Sequence, residues 1–217
     1  MNCCQCQGIE DLFNEKTAAR ELADYRKKGP ARTTRMLTDA LKARGVEGRS
    51  LIDIGGGVGA IQHALLRSGA ESALDIDASQ AYINAARQEA ARQGFADRAR
   101  FWHGNFVDLA PQVEPADIVT LDRVLCCYPD VINMVKRSAE RARWLYGVVY
   151  PRDTWIARAF IPLLNLIFKL QKSPFRTFIH PTRVVEDLLA QRGFRRVFAA
   201  RTLVWQVIVY ERQPGTV

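Results

Sequence analysis

The stretch of this chain best equipped for chemistry is Asp53-Ile54-Gly55-Gly56-Gly57-Val58-Gly59-Ala60. Glycines let a backbone come close to a ligand, and a helix that starts directly after them offers its first N–H groups. Two ligand classes use such a turn. Read as Gly55-x-Gly57-x-x-Ala60, with an acidic residue about 20 positions on, it satisfies a dinucleotide fingerprint. Asp53 points the other way. It stands two residues before the first glycine, where its charge opposes a pyrophosphate and favours a cation.

Such a turn needs a strand before it and a helix after it, and the sequence supplies both. Ser50-Leu-Ile-Asp-Ile is a short apolar run, and Ala60–Ser68 has helical spacing up to Gly69. Alternation then continues. Strands are expected at Ser72–Ile76, Ala99–His103, Ile118–Leu121 and Trp144–Val149, with helices at Ala78–Gln93, Asp130–Arg141 and Pro181–Arg192. This order implies βαβ units in a parallel sheet with helices on both faces. Arg196–Arg201 and Leu203–Glu211 have no helix between them and should pair as a hairpin. Two helical stretches, Glu10–Lys28 and Thr33–Arg44, precede the first strand.

A cation-selective glycine turn suits S-adenosylmethionine, which carries a sulfonium and an ammonium and no phosphate. Leu51-Ile-Asp-Ile-Gly-Gly-Gly-Val-Gly59 resembles the first motif of the class I S-adenosylmethionine-dependent methyltransferases. Three further stations follow in order: Asp75-Ile-Asp-Ala-Ser79, Gly104-Asn-Phe106 and Asp117-Ile-Val-Thr-Leu-Asp122. The resemblance implies a Rossmann-like α/β sheet of seven strands, mostly parallel, ending in an antiparallel hairpin. It implies a cofactor site built from Asp53, Gly55, Gly57, Gly59, Asp77, Asn105, Phe106 and Asp122. Asp77 is expected on the ribose hydroxyls, with Asp75 in reserve, and Asn105 on the adenine amine. The domain organisation expected is a helical lead-in over 1–44 and a methyltransferase domain over 45–217.

Ligands in such sheets sit at the carboxyl ends of the strands, so Leu121-Asp-Arg-Val-Leu-Cys-Cys-Tyr-Pro129 should border the transferred methyl group. No Asn/Asp-Pro-Pro-aromatic turn of a nucleic-acid amino methyltransferase is present there, so no nucleic-acid partner is expected. Together with Tyr150-Pro-Arg-Asp-Thr-Trp155 and Phe178-Ile-His180, the loop resembles the magnesium-protoporphyrin O-methyltransferase family. That family's loop histidine is replaced by Cys127. The resemblance implies a small acceptor, anionic on an apolar body, methylated on a carboxylate. Tyr128, His180 and Cys127 are then the candidate catalytic residues, and Arg123 and Arg152 the candidate carboxylate clamp. A carboxylate is already ionised at neutral pH, so positioning and exclusion of water suffice.

Residues 155–172 are apolar on most sides, interrupted by Pro162, and too short to span a bilayer. Three readings stand: a buried helix, a lid over an apolar pocket, and a membrane-surface contact. The domain assignment takes 153–178 as a substrate-lid insertion. His63 reads as helix packing.

The chain has 217 residues, 48% of them hydrophobic, enough for one core. Thirty-one Lys and Arg against 23 acidic residues give a charge of +8, which leaves anionic partners open as a class. Five cysteines fall in two clusters, Cys3, Cys4 and Cys6 and then Cys126 and Cys127, which is no disulfide framework. No second Cys-x-x-Cys or His-x-x-His completes a zinc site, and no metal is expected. The clusters do open an alternative, methylation of a thiol or of arsenic, selenium or tellurium. A second alternative is a non-catalytic cofactor-binding or RNA-binding module. No basic segment followed by an apolar one opens the chain, so a cytoplasmic protein is expected.

Overall fold

The computed structural model describes residues 4–215. Seven strands form one sheet in the order β3-β2-β1-β4-β5-β7-β6. They are β1 (Ser50–Ile54), β2 (Ser72–Asp77), β3 (Ala99–His103), β4 (Ala116–Asp122), β5 (Ala142–Pro151), β6 (Phe194–Arg201) and β7 (Trp205–Arg212). The first five run parallel, and β7 lies antiparallel between β5 and β6. This is the class I methyltransferase fold. Strand order reverses between β1 and β4, so the crevice expected to hold a ligand opens where both strands end.

Burial follows the two-residue period of the strands. Ile52, Val119 and Val148 enter one core with Met134 and Val135 of α7 (Val131–Glu140) and with Val185 and Leu189 of α9 (Thr182–Ala190). Their neighbours Leu51, Ile118 and Val149 enter the other. There they meet Leu37 and Leu41 of α3 (Arg32–Lys42) and Ile61 and Leu65 of α4 (Ala60–Arg67). Ala90 of α5 (Gln80–Arg92) joins them. His63 on α4 is fully buried between the rings of Tyr25 and Phe95, and burial pushes its pKa down to about 4.

The expected first helix is two. α1 (Cys4–Leu12) and α2 (Glu15–Lys28) break at Phe13-Asn14, where Asn14 caps α2 by accepting from the Thr17 amide. The break is fastened to the sheet, because the Ser79 hydroxyl donates to the Phe13 carbonyl at 2.6 Å. Ser79 in turn caps α5. The lead-in therefore packs against the carboxyl end of β2.

The apolar segment forms α8 (Trp155–Leu170), capped by Thr154 and carrying Pro162 inside. None of its residues is buried, which overturns the buried-helix reading. Asn165 anchors its inner side, donating to the Thr177 carbonyl at 2.8 Å and accepting from the Thr177 amide at 2.9 Å. Among the described residues no helix is long and apolar enough to cross a membrane.

Candidate active site

The turn after β1 is strapped to the end of β2. The Gly55 amide donates to the Ile76 carbonyl, the Gly56 amide to Asp75 and the Gly57 amide to Asp77, at 2.8, 3.2 and 3.1 Å. Gly55 and Gly57 both take left-handed φ values, 64° and 59°, that other residues adopt at a cost. A Cβ on Gly55 would stand 2.5 Å from Val124 Cγ2, so glycine is also what lets the loop after β4 close in.

Strap and loop enclose a cavity of about 310 Å³. Its wall includes Gly55, Gly57, Asp77, Asn105, Phe106, Asp122, Arg123, Cys127 and Tyr128, which the sequence placed at a site. It also includes Ile9, Phe13, Glu21 and Tyr82, which the sequence did not. The first three come from the lead-in or its break, so α1 and α2 form part of the wall. Their signal was the helical face itself, which reads as ordinary core packing until the break at Phe13 turns it toward the strand ends.

Four predicted residues lie elsewhere. Asp53 is fully buried beneath the turn, where it accepts from Thr120 Oγ1 at 2.7 Å and Gln62 Nε2 at 3.3 Å. It supports the turn and does not line the cavity. Gly59 begins α4 with φ 79°, and a Cβ there would stand 2.7 Å from the His63 ring. Arg152 points its guanidinium at the carbonyls of Thr202 and Leu203, at 3.2 and 3.3 Å, and so pins the turn between β6 and β7. It forms no clamp with Arg123. His180 Nε2 lies 2.9 Å from both the Leu125 and Tyr128 carbonyls. Two carbonyls can share only a donor, so Nε2 carries the proton, and the ring holds the loop from below instead of acting on a substrate.

The segment assigned as a lid adds no side chain to the cavity wall. It meets the loop after β4 instead, through the Phe178 amide and the Thr177 hydroxyl, both on the Cys126 carbonyl.

Asn105 caps α6 (Phe106–Leu109), accepting from the Val107 amide at 3.2 Å. Its Nδ2 donates to Asp108 at 3.0 Å and to the Tyr128 hydroxyl at 3.3 Å. That bond ties the turn after β3 to the loop after β4 across the cavity. Arg123 holds a left-handed φ of 63°, fixed by its amide on the Val149 carbonyl at 2.8 Å. Its Nε donates to Asp122 Oδ1 at 3.1 Å, while Thr34 Oγ1 donates to Asp122 Oδ2 at 2.5 Å. Burial works against the Arg123 charge, and Asp122 and Glu21 more than offset it.

Cys126 and Cys127 line the wall with their sulfurs 3.8 Å apart. Their shared hydrogen bond lowers Cys126 and, together with burial, holds the Cys127 thiol well above its ordinary range. Cys127 is therefore protonated at neutral pH and is no base. Cys3 lies outside the described residues, as do the side chains of Cys4 and Cys6. Among the described residues no cluster of three metal-ligating side chains forms.

The electrostatics fit a cationic ligand. Burial raises the pKa values of Asp53, Asp75 and Asp77, Asp53 to about 7; the charges of Asp77 and Asp53 raise Asp75 further, and those of Asp122 and Asp77 raise Asp53. Asp75 Oδ2 has no hydrogen-bond partner. A bound cation would relieve this crowding of negative charge. Asp77 closes one end of the cavity with an acceptor suited to hydroxyls, and Asn105 and Phe106 line another part, beside an aromatic and an amide suited to a flat base.

Comparison with known proteins agrees. Residues 51–145 match the family model described as a methyltransferase domain. Ribosomal protein L11 methyltransferase of Enterobacter sp. (strain 638) is 34% identical over 87 residues, 40% of this chain and 29% of its own length. The chain thus spans less than a third of that curated relative. Magnesium protoporphyrin IX methyltransferase from Synechocystis PCC 6803, solved with bound S-adenosylhomocysteine, superposes with a TM-score of 0.75. Identity is 19%, over 96% of this chain and 100% of that one. A putative sarcosine dimethylglycine methyltransferase from Galdieria sulphuraria gives 0.68 at 14% identity, over 84% and 86%. Residues 51–145 thus match a methyltransferase domain, and the chain as a whole has the class I methyltransferase fold.

Proposed function

We propose that the protein methylates an oxygen of a small acid, a carboxylate carried on a largely apolar body such as a magnesium-protoporphyrin. The observation that carries this reading is Arg123, a cation on a wall that also holds Glu21, Asp77 and Asp122 and is otherwise built largely of apolar side chains such as Ile9, Phe13, Phe106, Val124 and Met134. An anionic head on an apolar body matches that wall. S-adenosylmethionine, when bound, supplies an electrophilic methyl group on sulfur. Asp77 and the glycine turn would hold it, with Asn105 and Phe106 beside its base.

The chain's own residues have a positioning task. Arg123 pairs with the acid and Asp122 fixes the guanidinium. His180 keeps the loop that carries Tyr128 in register, and Asn105 orients the Tyr128 hydroxyl. None of these steps needs a general base, in keeping with a protonated Cys127 and a His180 Nε2–H engaged by two carbonyls. Holding the acid beside the methyl group supplies proximity, which suffices for transfer to a group already ionised.

One observation favours a second reading. The Cys126–Cys127 sulfur pair on the cavity wall suits a thiophilic acceptor, a thiol or a trivalent metalloid. Incubating the protein with methyl-labelled S-adenosylmethionine and a panel of small acids, porphyrins, thiols, arsenite and RNA separates the readings. Base-labile label on an acid supports the first. Label only on a thiol, arsenic or RNA overturns it.

A further inference from the structure

The outer face of α8 is an apolar stripe on which nothing packs among the described residues. Ile156, Phe160, Leu163, Leu166, Ile167 and Leu170 recur at three- and four-residue spacing and are 44–75% exposed. Soluble surfaces rarely carry an apolar face of that length. The patch continues beyond the helix. The Arg152 amide donates to the Val204 carbonyl at 2.8 Å, three residues before α8 begins, which brings Leu203, 89% exposed, and Val204 alongside. Trp155, 79% exposed, stands at the joint.

Charge identifies the occupant. From Thr154 to Val185 the sequence has no acidic residue but has Arg158, Lys169, Lys172, Arg176 and Arg183. Over residues 154–210 there are nine Lys and Arg against Glu186 and Asp187, with Arg158 paired to Asp153 and Arg196 to Glu186. Lys169 and Lys172 are exposed where the apolar face ends. A second copy laid on this face would bring like charges together. An anionic bilayer surface satisfies both features at once, taking up the apolar stripe and attracting the basic rim.

We infer that α8, with the Leu203-Val204 turn, docks the protein on the surface of an anionic lipid bilayer. At 16 residues the helix is about 24 Å long and lies in the headgroup plane without crossing it. Trp155 sits at the interface, and the lysines reach the phosphates through their alkyl stems. Trp205, the residue after Val204, is on the cavity wall, so the docking face adjoins the active site. Docking does not depend on which acceptor the enzyme uses.

The test is flotation of the full chain with vesicles of phosphatidylcholine alone and of phosphatidylcholine with phosphatidylglycerol. The expected result is binding about tenfold or more stronger to the anionic vesicles, weakened by added salt. Leu163→Glu with Leu166→Glu should abolish it, and Lys169→Glu with Lys172→Glu should remove the preference for anionic lipid. All four positions are exposed, so unchanged melting temperatures would show that the variants fold. Failure of the unaltered chain to bind anionic vesicles overturns the inference. So does equal binding by the Leu163→Glu/Leu166→Glu variant, or a dimer in light scattering that this variant dissociates.

Discussion

Asp77 Oδ2 accepts the Gly57 amide at 3.1 Å, so an acid that lines the cavity also shapes the turn opposite it. Its other oxygen accepts from the Ser79 amide at 2.8 Å, at the cap of α5. One carboxylate thus fixes the end of β2, the glycine turn and the start of a helix. Asp77→Asn keeps the size but removes the charge and one acceptor. Charge-assisted hydrogen bonds of this kind are worth ~1.5–3 kcal/mol, so S-adenosylmethionine affinity should fall ~10–100-fold in calorimetry. An unchanged affinity would remove Asp77 from the cofactor site.

The two arginines expected to form a clamp should separate cleanly. Arg123→Ala removes the cation on the cavity wall and should raise KM for an acidic acceptor ~10-fold or more, with S-adenosylmethionine affinity little changed. Arg152→Ala loses two hydrogen bonds to the 202–203 carbonyls, and stability should drop by ~1 kcal/mol in thermal unfolding. Its KM for the acceptor should stay within a factor of about two to three of the unaltered enzyme.

His180 should behave as a positioning residue. Burial lowers its pKa and its Nε2–H is taken by two carbonyls, so His180→Ala leaves the Leu125 and Tyr128 carbonyls without that donor. A loop set loose by about 1 Å can cost ~100-fold in rate. The rate should therefore fall without any change in the shape of the pH–rate profile. Loss of an ionisation near neutrality from that profile would instead make His180 a proton carrier.

Asp53 and His63 should pull stability in opposite senses over nearly the same pH range. Burial pushes Asp53 up to about 7, whereas an unfolded Asp titrates near pH 4. Between those values the folded chain holds a proton that the unfolded chain has shed, so the contribution of Asp53 is full below about pH 4 and is lost as pH rises to about 7. Unfolded His63 takes a proton near 6.5 but folded only near 4, so acidification across that range costs on the order of 3 kcal/mol. The two contributions largely offset each other between about pH 4 and 6.5. Asp53→Asn should expose the His63 contribution: melting temperatures of the cofactor-free variant should fall on acidification across that range more steeply than those of the unaltered protein. Equal slopes in the two proteins would contradict this assignment.

The sheet was legible because its strands and helices carry clear periods. Ser50–Ile54 and Ala99–His103 coincide with β1 and β3, and the other expected strands and helices differ only at their ends, save Glu10–Lys28, which is broken at Phe13-Asn14. Asp77 was legible too, since Asp-x-Ser at a strand end marks both a carboxylate and a cap. What the sequence concealed depends on partners far along the chain. Arg152 meets carbonyls 50 and 51 residues away, and His180 meets carbonyls 55 and 52 residues back, and no local pattern announces such pairs. Asp53 misled for a different reason: a strand-end acid reads the same whether it faces a ligand or lies beneath the turn. α8 misled because apolar composition ordinarily means burial, and here that surface faces outward.

The measurement closest to the central claim is the fate of the methyl group. With labelled S-adenosylmethionine and a magnesium-protoporphyrin or another apolar acid, the expected product is a methyl ester. Its label should be released by mild base, and its formation should fall ~10-fold or more in Arg123→Ala at fixed low acceptor concentration. Base-stable label, or label found only on sulfur, arsenic or RNA, would contradict transfer to a carboxylate.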